Sequence, residues 1–147
     1  MASGARQRWR TPWPLERTVI NSFMPQQRSP RPAPPFHYRA IVTSVYDGDT
    51  CTVDLDLGLS ITLNKRKIRL HRINAPELRG RSKRRGRAAR DFLRGVIQEK
   101  EVLLQTIKDR KGKYGRYLGE IWVKQGRRMV NVNDLLVTEG HAKFAEY

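Results

Sequence analysis

Acidic residues are scarce in this sequence: 14 Asp and Glu stand against 30 Lys and Arg, a formal net charge of +16 over 147 residues. Such a surplus works against compactness by self-repulsion, and its usual compensation is a polyanionic partner. It is also well beyond what solubility asks of a small domain. Nucleic acid is the expected partner, ahead of an anionic membrane surface and of acidic proteins. Cysteine is nearly absent. Cys51 alone excludes an intrachain disulfide framework and a Cys-based zinc site. No apolar run approaches membrane-spanning length, and the first residues lack the continuous apolar stretch of a secretory signal. "MASGARQRWR" is Arg-rich and acid-poor like an organelle transit peptide, but the prolines that follow would break an amphipathic helix. The expectation is a monomer that does not engage a membrane, in the cytoplasm or encoded by a phage or plasmid.

Proline is almost confined to one end, with seven of the eight before residue 36. That segment also holds Arg6, Arg8, Arg10, Arg17, Arg28 and Arg31 against Glu16 alone. Residues 1–35 therefore read as a basic, Pro-rich tail expected to be mostly disordered, and "RSPRPAPP" as polyproline-like. The remaining residues, 36–147, have the apolar periodicity of one domain.

"YRAIVTSVY" reads as a strand, and "TCTVDLDL" as its hairpin partner across an Asp-Gly turn whose glycine is expected to supply positive φ. "GLSITLNKRKIRLHRI" reads as a long third strand. Residues 86–98 carry Ala89, Phe92, Leu93, Val96 and Ile97 at helical spacing, with Gly95 as a weak point. "EVLLQTIK" and "YLGEIWVK" read as two more strands joined through "DRKGKYGR". Asn131 can cap a short helix that shows Val132, Leu135 and Leu136 on one face and closes at Gly140. The order predicts a mainly β, α+β domain: a five-stranded barrel of the OB type with two to three helices.

Within "VYDGDT", the turn accounts for Asp47 and Gly48 but not for Asp49. The apolar residues after it, Cys51, Val53, Leu55 and Leu57, are all odd-numbered, and side chains alternate faces along a strand. Asp49 shares their parity and is expected to point inward, where a carboxylate is costly unless it meets a cation or several donors. A capped turn residue is the structural alternative. A second cluster lies in "KIRLHRINAPE", where Pro76 forces Ala75 into an extended conformation and presents Asn74 and Glu77 on a corner. Arg69 stands five residues before Asn74, and a change of apolar parity between Leu63 and Ile68 predicts a bulge. In "KGKYGRY", two glycines make a tight loop that places Arg116 beside Tyr114. Hard oxygen ligands, a carboxylate near water and two guanidinium forks are what metal-assisted phosphodiester hydrolysis needs.

"YDGDT", "IRLHRINAPE", "KYGRYLGEIWV" and "VNVNDLLVTEGHAK", in this order, resemble the staphylococcal nuclease-like (thermonuclease) family over nearly all of residues 38–147. The resemblance implies an OB-fold barrel and Ca2+-dependent cleavage of DNA and RNA, with Mg2+ or Mn2+ as possible substitutes. It implies that Asp49, Asn74 and the backbone carbonyl of Ala75 bind the metal, with Asp47 in the outer shell. Arg69 and Arg116 would bind the phosphate and its transition state, and Glu77 would be the general base. Tyr114 would stack on a base, Lys113 lies beside it, and Tyr147 would take the place of the family's pocket tyrosines. Asn74 stands where the family has Asp, which removes one ligand charge and predicts weaker metal affinity.

The run "LRGRSKRRGRAAR" reads as a basic linker, and its Arg81, Arg84 and Arg85 are expected to hold the phosphate backbone without choosing sequence. His71 and His141 read as structural. Two other functions remain open: a nuclease-like barrel without catalysis that binds nucleic acid, and a basic membrane-surface or scaffold protein. Retention of Asp49, Arg69, Glu77 and Arg116 favours the enzyme.

Overall fold

The computed structural model describes residues 36–108 and 117–146. The basic tail, residues 109–116 with Lys113, Tyr114 and Arg116, and Tyr147 lie outside the described residues. The described part contains β1 (His37–Asp47), β2 (Thr50–Asp56), β3 (Thr62–Leu70) and β4 (Ile73–Asn74). A 3-10 turn (Gly80–Ser82) leads into α1 (Lys83–Ile97), followed by β5 (Glu101–Lys108), β6 (Tyr117–Gln125), β7 (Arg128–Asn131), α2 (Val132–Thr138) and β8 (Lys143–Phe144).

Strands β3, β2, β1, β5 and β6 pair in that order as antiparallel neighbours, and β3 then meets β6 in parallel. This last pairing closes a five-stranded mixed barrel, the OB-type α+β architecture that the strand order predicts. Closure rests on Ile68, Arg69 and Leu70 set against Tyr117, Leu118 and Gly119. Gly119 lets the seam shut, since a Cβ there would stand 2.5 Å from Ile68 Cγ2 and 2.7 Å from a Leu104 methyl. The inward residues of β2, Cys51, Val53 and Leu55, are buried, so the odd-parity reading holds for them. Leu57 instead lies beyond the strand and is exposed. Full burial in an apolar surrounding pushes the Cys51 thiol up to about 12, so it is an inert core residue.

The expected bulge lies in β3: Leu63 pairs with Leu55 and Arg66 with Val53, so the intervening β3 residues outnumber those on β2. Lys65 absorbs the irregularity at φ 55° and donates its N–H to Asp54 at 2.7 Å. The long third strand is shorter than expected. It ends at Leu70, Arg72 turns the chain at φ 63°, and Ile73–Asn74 leave to pair with β8. The basic "linker" is likewise mostly helix. α1 begins at Lys83 and buries Gly86, Ala89, Leu93 and Ile97 against the barrel, while Arg84 and Arg85 remain on its solvent side. Ser82 does not cap the helix. Its hydroxyl donates to the carbonyls of Glu77 and Arg79, each at 3.1 Å.

The cap on α2 is as expected, Asn131 Oδ1 accepting from Asp134 N at 3.0 Å. Its buried face differs, with Asn133 fully inside and Leu135 only half-buried. Asn133 donates to the carbonyls of His71 (2.9 Å) and Gly119 (3.0 Å) and accepts from Ile121 N at 3.3 Å. One side chain thus ties α2, β6 and the corner after β3 together. Gly140, at φ 75°, ends the helix. His141 packs its ring 4.5 Å from that of Phe92, in keeping with a structural role.

Candidate active site

Asp49 lies in the turn immediately before β2, in phase with the strand's inward row, and is 6% exposed. Its Oδ2 receives Arg69 Nη1 at 2.7 Å and the Ala75 N–H at 2.7 Å, while Thr50 donates to Oδ1 at 3.3 Å. Burial pushes the Asp49 carboxyl up to about 6, against the pull of the Arg69 charge and the Ala75 N–H. The inward carboxylate therefore meets both a cation and a backbone donor, the two compensations that its burial requires.

Arg69 reaches this position because it pairs with Thr50 across the β2–β3 ladder. Its other nitrogen, Nη2, donates to Asn74 Oδ1 at 3.1 Å. The guanidinium consequently spans Asp49 and Asn74, two residues that sequence separation keeps 25 positions apart. The corner Asn74–Glu77 is fixed from three sides. Ile73 and Asn74 pair with Phe144 and Lys143, and the Ala75 amide is bound by Asp49. Gly86 on α1 lies so close to the Pro76 and Glu77 carbonyls that a Cβ would collide with both. Glu77 itself stays exposed.

Asp47 accepts the Asp49 N–H at 3.1 Å and so shapes the turn beneath the carboxylate. Gly48 is needed for a reason other than the expected one. It is not among the residues of positive φ, yet its added Cβ would stand 2.7 Å from the Cβ atoms of both Ala75 and Ala89. The Asp-Gly turn therefore presses directly onto the corner and onto α1. Of the expected substrate-binding residues, Arg81 lies in the 3-10 turn and Arg84 and Arg85 in the first turn of α1, all exposed just after the corner.

Sequence reasoning missed the brace behind this corner. Arg72 grips Glu120 on β6 through Nε at 2.6 Å and Nη2 at 2.9 Å, and reaches Asp134 on α2 at 3.0 Å. Glu120 is buried, also accepts from Asn131 at 3.0 Å, and raises the Arg72 pKa through these bonds. Glu120 sits in an apolar strand, "YLGEIWV", where an isolated acid was the available signal.

The donors near the corner suit a hard cation in kind: the Asp49 carboxylate, the Asn74 amide oxygen and the Ala75 carbonyl are all oxygens. They are poor in charge, and among the described residues no three His, Cys, Asp or Glu side chains cluster as a metal site. No helix among the described residues is long and apolar enough to cross a membrane.

Among known proteins, the chain is similar to an uncharacterized protein, MJ1439, of Methanocaldococcus jannaschii, at 28% identity over 128 residues. That similarity covers 73% of this chain and 59% of the relative, so the chain spans little more than half of the relative's length. The family model described as staphylococcal nuclease homologue matches residues 67–147, which takes in the corner, the brace and the closing seam. With more than half of its length matched and the barrel closed in the expected order, the chain belongs to the staphylococcal nuclease homologue family.

Proposed function

We propose that the chain is a metal-dependent nuclease, with Ca2+ as the expected ion, that hydrolyses phosphodiester bonds of DNA and RNA with little sequence preference. The domain carrying this activity would run from residue 36 to residue 147. One observation carries the reading: a buried carboxylate, Asp49, is joined by Arg69 to the corner that presents Asn74 and Glu77. A barrel that only needed stability would be served as well by an apolar pair at Asp49 and Arg69.

Asp49, Asn74 and the Ala75 carbonyl would hold the ion, with Asp47 in its outer shell. Bound there, the ion would withdraw charge from a phosphate oxygen. The residues of the chain would do the rest. Arg69, its guanidinium plane set by Asp49 and Asn74, would meet one face of the phosphate, and Arg116 would supply the second fork. Glu77, exposed on a corner that Gly86 and Pro76 hold still, would take the proton of the attacking water, a contribution of about 10²–10⁴-fold. Arg81, Arg84 and Arg85 would grip the strand beyond the site. They act as charges on the backbone and so add affinity without base preference.

The test is digestion of supercoiled plasmid and of single-stranded RNA with Ca2+, Mg2+ or EDTA, by the wild type, Glu77→Gln and Arg116→Ala. The expected result is metal-dependent loss of both substrates, with turnover cut by at least about 10²-fold in each variant and DNA binding largely kept. Cleavage by either variant at the wild-type rate would remove that residue from the chemistry. A second reading, a binding module without catalysis, is favoured by one feature: Arg69 is already engaged with Asp49 and Asn74, and Asn74 brings no charge. Tight binding with no cleavage under any metal would establish that reading instead.

A further inference from the structure

The hairpin that joins β2 to β3 ends in an apolar tip. Leu57, Leu59, Ile61 and Leu63 all face solvent there, Leu59 at 94% exposure. The Ile61 N–H donates to the Gly58 carbonyl and the Leu57 N–H to the Ile61 carbonyl, each at 2.9 Å, which closes the turn. Its two central residues, Leu59 and Ser60, have φ of 52° and 61°. Turns of that kind favour Asn and Gly, because a Cβ is strained at positive φ. Leucine is a poor choice on both counts: the backbone is strained and the side chain gains no burial. A local rule broken without a packing gain marks a place where the chain serves function rather than folding.

Cations follow the tip. Lys65, Arg66 and Lys67 continue β3 behind Leu63, and all three are exposed. The nearby acids are already engaged. Asp56 accepts from Gly58 N at 2.8 Å and from Arg39 at 3.1 Å, and Asp54 accepts from Lys65 N at 2.7 Å. An apolar point with a basic collar suits a partner that is apolar within and anionic at its edge, which describes an anionic lipid bilayer. The amides of Leu57, Gly58 and Ile61 are bonded inside the hairpin, so entry into lipid leaves them satisfied. Other occupants fit less well. Four apolar side chains offer far less than the roughly 800 Å² per partner that a stable protein interface buries. A second copy carries the same +16, and the chain's own first 35 residues hold six Arg against one Glu, so the basic collar repels both.

We propose that the β2–β3 tip is a peripheral anchor for anionic membranes. Leu59 and Ile61 enter the boundary between headgroups and acyl chains, and Leu57 and Leu63 flank them. Lys65, Arg66 and Lys67 meet the anionic headgroups, the second signal that stable attachment of a small apolar anchor requires. Asp49 and Arg69 stand at the other end of the same hairpin, where Thr50 pairs with Arg69. With seven residues in β2, that places the candidate active site about 20 Å from the tip, on the aqueous side of a docked chain. This departs from the expectation that the chain does not engage a membrane. That expectation rested on the lack of long apolar runs, and four alternate residues around a turn are not such a run. The anchor needs nothing of the nuclease reading.

The experiment is co-sedimentation of the full chain, in EDTA, with phosphatidylcholine vesicles that contain phosphatidylglycerol and with vesicles of phosphatidylcholine alone. The wild type is expected to pellet with the anionic vesicles and only weakly with the neutral ones. Leu59→Asn suits the turn, since Asn tolerates positive φ, so its Tm should equal or exceed that of the wild type. It is nevertheless expected to bind anionic vesicles about tenfold more weakly or worse, from the apolar area withdrawn from lipid. Lys67→Gln is expected to weaken the same binding by about fivefold. Wild-type protein left in the supernatant by anionic vesicles would overturn the proposal. So would wild-type affinity in Leu59→Asn, which would reduce the contact to charge alone. An equal loss of oligo-dT binding in Leu59→Asn would give the tip to nucleic acid instead. Self-association of the wild type in sedimentation velocity, abolished by Leu59→Asn with vesicle binding intact, would give it to a second copy. Plasmid digestion by Leu59→Asn in solution is expected at the wild-type rate, so the anchor and the nuclease reading fail separately.

Discussion

Asn74 is where a single residue has most leverage over the proposed chemistry. Its amide oxygen accepts from Arg69 at 3.1 Å and would also face the ion, so a neutral group serves two cations at once. Restoring a carboxylate adds a full ligand charge at a position already built into the corner by β4–β8 pairing. Asn74→Asp is expected to lower the Ca2+ concentration for half-maximal activity by about tenfold, on the scale by which ligand charge tunes such sites. A metal titration of the two proteins checks this, and superimposable curves would remove Asn74 from the ligand set. Asp49 itself was legible in the sequence through strand parity, and it is buried as that parity requires. Its partner was not, because the β3 bulge breaks the alternation from which Arg69 could have been placed.

Among the elements, the Asp-Gly turn, the Asn74–Glu77 corner and α1 form one packed unit. Gly48 touches Ala75 and Ala89, while Gly86 touches the Pro76 and Glu77 carbonyls. Each glycine removes a side chain between two segments that must approach closely, so the corner is held by shape as well as by hydrogen bonds. Gly48→Ala is expected to lower stability by about 1–3 kcal/mol, the usual consequence of overpacking. Thermal or denaturant unfolding checks it, and an unchanged midpoint would show that the contact with Ala75 and Ala89 relaxes at no cost. The strand and helix order was legible from periodicity and caps, including the Asn131 cap. The start of α1 was not. A run of basic residues at a helix N-terminus opposes the helix dipole, and burial of Gly86, Ala89 and Leu93 overrides that local preference.

For the molecule as a whole, the surplus of Lys and Arg makes association with a polyanion largely a matter of counterion release. If the basic turn of α1 and the site together neutralise ~5 phosphates, affinity for a single strand falls by about 10²-fold between roughly 50 and 200 mM salt. Binding isotherms across that range check the slope, and a flat dependence would mean that the charge serves something other than nucleic acid. Composition, proline placement and strand parity, each a local or summed property, were enough to determine the basic character, the barrel class and the inward Asp49. Only the tertiary structure decided that Arg69 bridges Asp49 and Asn74, and that Arg72 and Asn133 brace the corner from β6 and α2. Those are contacts between segments far apart in the chain, fixed by barrel closure, and neither periodicity nor spacing encodes which strands meet at the seam.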